Sequence, residues 1–339
     1  MTQMQAMIVP EAGGRLQLVT RDIPQPGPHE VRVMVEACGV CHSDALVVQG
    51  QMPGLVYPRV PGHEVIGRIE AVGPDVEGWA PGDRVGIGWH SGGCGYCSNC
   101  RRNDSFACKN VQGATGLSRD GGYATHMVAH VSALARVPES LDPVDSAPLL
   151  CAGITTFNAL RNCGARPGEL VAIQGMGGLG HLGIQYASRL GYRTVAISRG
   201  RDKEGLALSL GADAYIDSKG EHPGIALQAM GGARAIITTV TDGAAMEAIA
   251  SGLGPNGSLM IVGVVGPIRV EALDLVMKRA SIKGWYSGVA ADSEDTLNFS
   301  ALNGVASMNE VFPLEQAQAA YDHMMSGRAR FRVVLRMPN

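Results

Sequence analysis

Four cysteines, Cys94, Cys97, Cys100 and Cys108, stand at C-x2-C-x2-C-x7-C spacing. Four thiolates this close in sequence can close a tetrahedral shell, as in a structural zinc site. Three further donors, Cys41, His63 and Cys151, are scattered, each in a short polar or glycine-marked stretch within apolar sequence. Two thiolates and an imidazole leave one tetrahedral position for water or substrate, which is the arrangement of a catalytic zinc. Downstream lies the turn Gly175-Met176-Gly177-Gly178-Leu179-Gly180. A G-x-G-x-x-G pattern between a strand and a helix lets a dinucleotide pyrophosphate approach the backbone. A metal with an open position plus a dinucleotide turn points to redox chemistry on alcohols or carbonyls.

The elements that must hold these groups have two characters. In the first part of the chain, residues 30–36 alternate with a period of two, as a half-buried strand does. Residues 64–72 form a second β-rich run, and shorter runs near 83–88 and 130–137 continue the pattern. Proline and glycine punctuate this region, and helical periodicity is sparse. Near residue 150 the character changes. Apolar runs at 170–173, 194–197, 214–216, 235–238, 259–262 and 281–285 read as buried strands. Helical spacing occupies 181–190 and 203–210. Strands alternating with helices predict βαβ units and a parallel sheet. An amphipathic helix at 315–325 and a strand at 332–335 follow.

Composition bounds the remaining possibilities. The 339 residues exceed the roughly 250–300 at which one core stops growing, so two domains are expected. The hydrophobic fraction of 45% suffices for real cores. A net charge of −3 gives no basic footprint for nucleic acid or an anionic membrane. No apolar run approaches the ~20 residues of a membrane span, and no signal peptide is visible. Eight cysteines without an export signal read as metal ligands and free thiols in a cytoplasmic protein, not as disulfides.

The second strand of a dinucleotide fold usually ends in an acid that binds the ribose 2′-hydroxyl. Here that position is Ser198, followed by Arg199, Arg201 and Lys203. A carboxylate repels a 2′-phosphate, whereas a hydroxyl with guanidinium groups binds it. NADP(H) is therefore the expected cofactor, with NAD(H) possible.

The segments Gly39-Val40-Cys41-His42-Ser43-Asp44 and Pro61-Gly62-His63-Glu64, the four-cysteine cluster, Cys151-Ala152-Gly153-Ile154-Thr155-Thr156 and the glycine turn occur in that order. Through essentially the whole chain this resembles the zinc-dependent medium-chain alcohol dehydrogenases, in particular their bacterial and yeast-like branch. The resemblance implies an α/β protein: a GroES-like β-rich catalytic domain over 1–149, a Rossmann doubly wound parallel sheet domain over 150–287, and a return to the first domain over 288–339. It implies two zinc ions per chain, a catalytic one on Cys41, His63 and Cys151 and a structural one on Cys94, Cys97, Cys100 and Cys108. The catalytic ion would act as a Lewis acid on the oxygen of a primary or small secondary alcohol, or of the matching aldehyde, while hydride passes to or from the nicotinamide.

The same resemblance gives roles to single residues. Ser43 matches the hydroxyl that starts proton removal from the substrate. Glu64 matches an acid beside the zinc, and Asp44 the carboxylate that orients the zinc histidine. His42 and Arg332 match contacts to the pyrophosphate, and Thr155 a residue beside the nicotinamide. Gly175, Gly177, Gly178, Leu179, Gly180, Ser198, Arg199, Arg201, Lys203 and Val264 complete the cofactor set. Trp89 resembles a pocket tryptophan that narrows the channel toward small substrates; an ordinary core aromatic is the other reading. Leu46 stands where many relatives carry a proton-relay histidine, and leucine cannot carry a proton. An aryl- or cinnamyl-type NADP enzyme and an NAD-preferring one of the same family are the alternatives. A non-catalytic nucleotide-binding relative would lack the Cys41, His63 and Cys151 set. The branch also suggests a homo-oligomer, tetramer or dimer, with no nucleic-acid or membrane partner.

Overall fold

The computed structural model describes residues 3–111, 113–263 and 266–338. Val264 lies outside the described residues. The chain divides into two compact units, Met1–Ile154 with Ser287–Asn339, and Thr155–Tyr286. No helix among the described residues is long and apolar enough to cross a membrane.

Among the described residues, seven strands come first: β1 (Gln3–Ile8), β2 (Gln17–Asp22), β3 (Glu30–Val40), β4 (Val65–Val72), β5 (Arg84–Ile87), β6 (His126–His130) and β7 (Leu134–Arg136). The run expected over 130–137 is in fact two strands, because a 3-10 turn, Val131–Ala133, interrupts it. Six strands follow: β8 (Leu170–Gln174), β9 (Arg193–Ser198), β10 (Ala214–Asp217), β11 (Ala233–Thr238), β12 (Leu253–Ile261) and β13 (Ser281–Gly284). They form one parallel sheet in the order β10-β9-β8-β11-β12-β13. This is the doubly wound order, and it reverses between β8 and β11. Strands β14 (Asn309–Pro313) and β15 (Arg332–Arg336) complete the set.

β14 and β15 belong to the first unit, in a sheet ordered β14-β15-β3-β4-β5-β7, with β6 also on β3. The long strand β3 organises it. Val31, Val33 and Val35 point inward, as the two-residue period requires. The first half of β3 pairs with β6 and the second half with β15, while β4 lies antiparallel along its other edge. Register shifts at Arg32/Val33 and Val35/Ala37 mark bulges between β3 and β4. Val40 pairs with Val333 and Cys38 with Val65. This register brings the end of β3, the start of β4 and the start of β15 to one place. Cys41, then His63 and Glu64, then Arg332 sit at those three strand ends.

The second unit buries a different core, built from Ala172, Val195, Ile197, Ile236, Ile249 and Leu259 among others. Its strands read as continuous apolar runs because helices cover both faces of a parallel sheet. The helix Ala290–Asn303, by contrast, carries little apolar periodicity, burying only Ser293, Thr296, Leu297 and Ser300. Nothing in its sequence pattern announces it.

Candidate metal centre and cofactor turn

Cys41, His63, Glu64 and Cys151 each offer one ligand atom, and these atoms lie within 4.8 Å of one another. Cys41 follows β3 and caps a 3-10 turn, His42–Asp44. Cys151 follows a buried 3-10 turn, Ala147–Leu150. That turn lies against β5 so closely that a side chain at Gly86 would meet Leu150 Cδ2 at 2.9 Å, and one at Gly88 the Leu150 carbonyl at 2.8 Å.

Each donor is held by a second group. His63 is fully buried, and its Nδ1 lies 3.1 Å from Asp44 Oδ1. Its Nε2 is buried without a hydrogen-bond partner among the described residues, as is Glu64 Oε2. Glu64 Oε1 accepts from Arg332 Nη2 in a buried ion pair. Gly39 makes room for that acid: a Cβ there would sit 1.8 Å from Glu64 Oε2. Asp44, also fully buried, takes the Cys41 N–H at 2.9 Å and the Tyr123 hydroxyl at 2.8 Å on Oδ2.

Electrostatics sharpens the picture. The Cys151 thiol beside it holds the Cys41 thiol well below its usual range, although burial opposes this. Sharing one proton with Cys41, and burial, push Cys151 up. Burial disfavours a charged His63, but Asp44 and Cys41 together hold its imidazole above the usual range. Burial pushes the Glu64 carboxyl up to about 7, against the pull of Arg332.

The donor set fits a zinc ion. The two sulfurs stand 3.8 Å apart. Tetrahedral zinc with Zn–S near 2.3 Å requires roughly that separation. A buried imidazole nitrogen and a buried carboxylate oxygen left without partners among the described residues also call for a cation, since buried polar atoms are otherwise paired.

The second cluster, Cys94, Cys97, Cys100 and Cys108, also converges within 4.8 Å. Here the chain wraps its own sulfurs. The Cys97 N–H points at Cys94 Sγ, the Cys100 N–H at Cys97 Sγ, and the Cys94 and Val111 N–H groups at Cys108 Sγ, at 3.3–3.5 Å. Backbone N–H groups of Cys100 and Lys109 hold the Cys97 thiol down at about 6, and those of Cys94 and Val111 hold Cys108 at about 7. Cys100 is pushed up to about 12 by burial, so it keeps its proton until a cation replaces it.

The other singled-out residues are placed as follows. His42 is exposed and Ser43 half-buried, its N–H 3.5 Å from Cys41 Sγ. Trp89 sets its ring against His63, centroids 4.8 Å apart at 87°. Leu46 lies in the short helix Ala45–Val48 and packs on the apolar core. Thr155 is buried in the helix Ala152–Arg161. Tyr123, which no sequence motif singles out, touches Asp44 from 79 residues away. Only the partnering of a buried phenol could have signalled it.

In the second unit the glycine turn joins β8 to the helix Gly180–Arg189, at the point where strand order reverses. Gly175 adopts φ +93°, and a Cβ on it would meet Thr239 Oγ1 at 2.5 Å. A Cβ on Gly180 would stand 1.7 Å from the Gly175 carbonyl. A Cβ on Gly177 would meet no described atom within 4 Å. Gly177 is exposed, with Gly178 and Leu179 half-buried beside it. Lys203 Nζ donates to the Met176 carbonyl inside the turn at 2.8 Å. Ser198 ends β9, Arg201 pairs with Glu204 at 3.0 Å, and Arg199 is exposed without an ion pair among the described residues.

These glycines make opposite predictions. Gly180→Ala should cost about 1–3 kcal/mol through overpacking and lower Tm by several degrees. Gly177→Ala should leave Tm within about a degree and weaken dinucleotide binding about tenfold or more, because its methyl would occupy the phosphate approach. Thermal melts with and without nucleotide measure both; equal melting shifts for the two variants would refute this division.

The alcohol dehydrogenase GroES-like domain model matches residues 27–139, and the zinc-binding dehydrogenase model matches residues 178–301. The alcohol dehydrogenase notN of Aspergillus sp. (strain MF297-2) is 44% identical over 96% of this chain and 96% of its own length. An alcohol dehydrogenase of Geobacillus stearothermophilus is 37% identical over 98% of this chain and 100% of its own. The solved structure of a cinnamyl alcohol dehydrogenase from Sorghum bicolor superposes with a TM-score of 0.87 at 29% identity, covering 99% of this chain and 98% of that one. The order of the motifs, the GroES-like and parallel-sheet units and these likenesses agree: the chain belongs to the zinc-dependent medium-chain alcohol dehydrogenase family.

Proposed function

We propose that this oxidoreductase is a zinc-dependent, NADP(H)-linked alcohol dehydrogenase that interconverts small primary or secondary alcohols and their carbonyl products. The observation that carries the reading is the convergence of Cys41, His63 and Cys151 around a buried His63 Nε2 that has no hydrogen-bond partner among the described residues. These three residues would hold the catalytic zinc, and Cys94, Cys97, Cys100 and Cys108 a structural one. Zinc bound there supplies a Lewis acid for the substrate oxygen, and the nicotinamide supplies or accepts the hydride.

The chain's own residues do the rest. Asp44 accepts from His63 Nδ1, so that the neutral ring would carry its proton there and offer the Nε2 lone pair to the metal. Ser43 Oγ would take the substrate's hydroxyl proton as it releases its own to water. Leu46 carries none onward. Glu64, held by Arg332, keeps a carboxylate oxygen beside the ligand set. His42, Arg332 and Thr155 serve the cofactor. Trp89, packed against His63, walls the substrate side.

NADP(H) preference rests on Ser198 in place of an acid and on the exposed Arg199, which has no ion pair among the described residues. A second reading, an aryl- or cinnamyl-type enzyme, draws support from the likeness to the Sorghum bicolor cinnamyl alcohol dehydrogenase. Eight cysteines without a disulfide suit a reducing, cytoplasmic setting. Self-association is favoured by the helix Ala272–Lys278, which exposes Leu273, Val276 and Met277 on one face, and by the outer edge of β13, which pairs with no strand among the described residues.

Metal analysis is the first test. The protein as purified should carry about two zinc ions per chain. Cys41→Ser or His63→Ala should leave about one, with a folded protein and turnover gone; full activity in either variant would refute the site. A panel of short aliphatic and benzylic alcohols with both nucleotides tests cofactor and substrate together. NADP should win by about tenfold or more in kcat/KM, and Arg199→Ala should erase most of that margin, because each charge-assisted hydrogen bond to the 2′-phosphate is worth ~1.5–3 kcal/mol. A clear NAD preference in the unmodified enzyme would overturn the assignment. Light scattering should find an oligomer that Val276→Glu combined with Met277→Glu dissociates; a monomeric parent would remove the self-association claim.

A further inference from the structure

Resting on the zinc assignment proposed above, we propose that Tyr123 is a positioning residue of the catalytic metal centre, acting through Asp44 on His63. Its side chain is fully buried. Its hydroxyl donates to Asp44 Oδ2 at 2.8 Å, and the other oxygen of the same carboxyl, Oδ1, lies 3.1 Å from His63 Nδ1. The chain Tyr123–Asp44–His63 therefore ends at the nitrogen opposite the metal-facing Nε2.

Geometry explains why a tyrosine does this work. Asp44 is fully buried and uses three donors: the Cys41 N–H, the Tyr123 hydroxyl and the His63 ring. The first two share Oδ2, which leaves Oδ1 to the imidazole. Without the phenol, the carboxyl can rotate about its bond to Cβ, because the Cys41 N–H alone is a single pivot. A carboxyl free to rotate no longer fixes the imidazole plane.

The backbone adds a second link. Gly121, Gly122 and Tyr123 donate their N–H groups to the carbonyls of Val60, Gly62 and Pro61, so the loop leading into His63 is stitched to the segment carrying the phenol. The ring lies so close to Gly62 that a Cβ there would stand 2.4 Å from Tyr123 Cδ1. Gly62, at φ +102°, is the residue just before His63. Ring and hydroxyl thus locate the same histidine from two sides.

The hydroxyl can be separated from the ring. Tyr123→Phe keeps the packing against Gly62 and deletes only the donor to Asp44. In the zinc-loaded enzyme, release of the Cys41/His63/Cys151 zinc to a chelator should quicken about tenfold or more, while the four-cysteine zinc keeps its rate. With cobalt in the catalytic position, the visible ligand-field bands should shift. p-Aminophenylalanine at 123 retains an N–H donor and should restore the slow release. Added to Asp44→Asn, Tyr123→Phe should change release no further. Wild-type release and spectrum in Tyr123→Phe, or additive effects with Asp44→Asn, would overturn the proposal. Should the phenylalanine variant not fold, a folded p-aminophenylalanine enzyme that loses zinc tenfold faster would overturn it instead. A parent enzyme with one zinc per chain would overturn the metal assignment itself; two zincs and an indifferent Tyr123 would overturn this inference alone.

Discussion

Burial of ionisable groups at one meeting point of strand ends is the constraint on which the first unit is built. Cys41, Asp44, His63, Glu64 and Arg332 are all withdrawn from water. Each unpaired charge in such a place costs several kcal/mol. Four groups there can carry negative charge, namely Cys41, Asp44, Glu64 and Cys151, and Arg332 is the permanent cation beside them. A divalent ion on the two sulfurs and the imidazole would balance this excess. The same logic explains the surrounding architecture. β3 is long and bulged so that it can deliver Cys41 while pairing with both β6 and β15. β15 returns from the far end of the chain and begins with the guanidinium that Glu64 requires.

What can be read from the sequence, and what cannot, follows from the range of each interaction. The four-cysteine cluster is legible because its donors and the N–H groups that serve them lie within a few residues of one another. The parallel-sheet strands are legible because burial on both faces leaves unbroken apolar runs. The glycine turn is legible because Gly175 and Gly180 each exclude a side chain for a local reason. Tyr123 is not, since a buried aromatic in sequence looks the same whether its hydroxyl is idle or holds a carboxylate. The Glu64–Arg332 pair spans 268 residues, and only the resemblance singles out Arg332, for the cofactor. The structure shows the guanidinium engaged on Glu64. The helix Ala290–Asn303 escapes sequence reading because its buried face is mostly serine and threonine. β14 escapes it as a short strand at the sheet edge, with mostly half-exposed residues.

In the second unit, the cofactor turn is braced from the next βα loop as well as from its own glycines. Lys203 spends its ammonium on the Met176 carbonyl. That bond ties the loop after β9 to the loop after β8. Lys203 is therefore a weaker candidate for a phosphate ligand than the sequence pattern suggests, and the charge available to a 2′-phosphate falls mainly on Arg199. Arg201 is partly neutralised by Glu204 at the start of its helix. On the proposed NADP(H) reading, cofactor choice would turn on the Arg199 guanidinium and one missing carboxylate, not on a general basic patch.

The two cysteine-containing centres differ in what assembles them. Cys94 and Cys108 are 14 residues apart, whereas Cys41 and Cys151 are 110 apart. Closing the longer loop costs on the order of 2 kcal/mol more chain entropy, before the ordering of everything between is counted. A metal can organise the short loop with little help, using N–H groups that the loop itself supplies. It cannot economically gather the distant set. There the sheet register must bring the strand ends together first, so the site is preorganised by β3, β4 and β15 and by the hydrogen bonds behind His63. A centre built this way can leave one coordination position open, because protein contacts and not a fourth ligand hold its geometry.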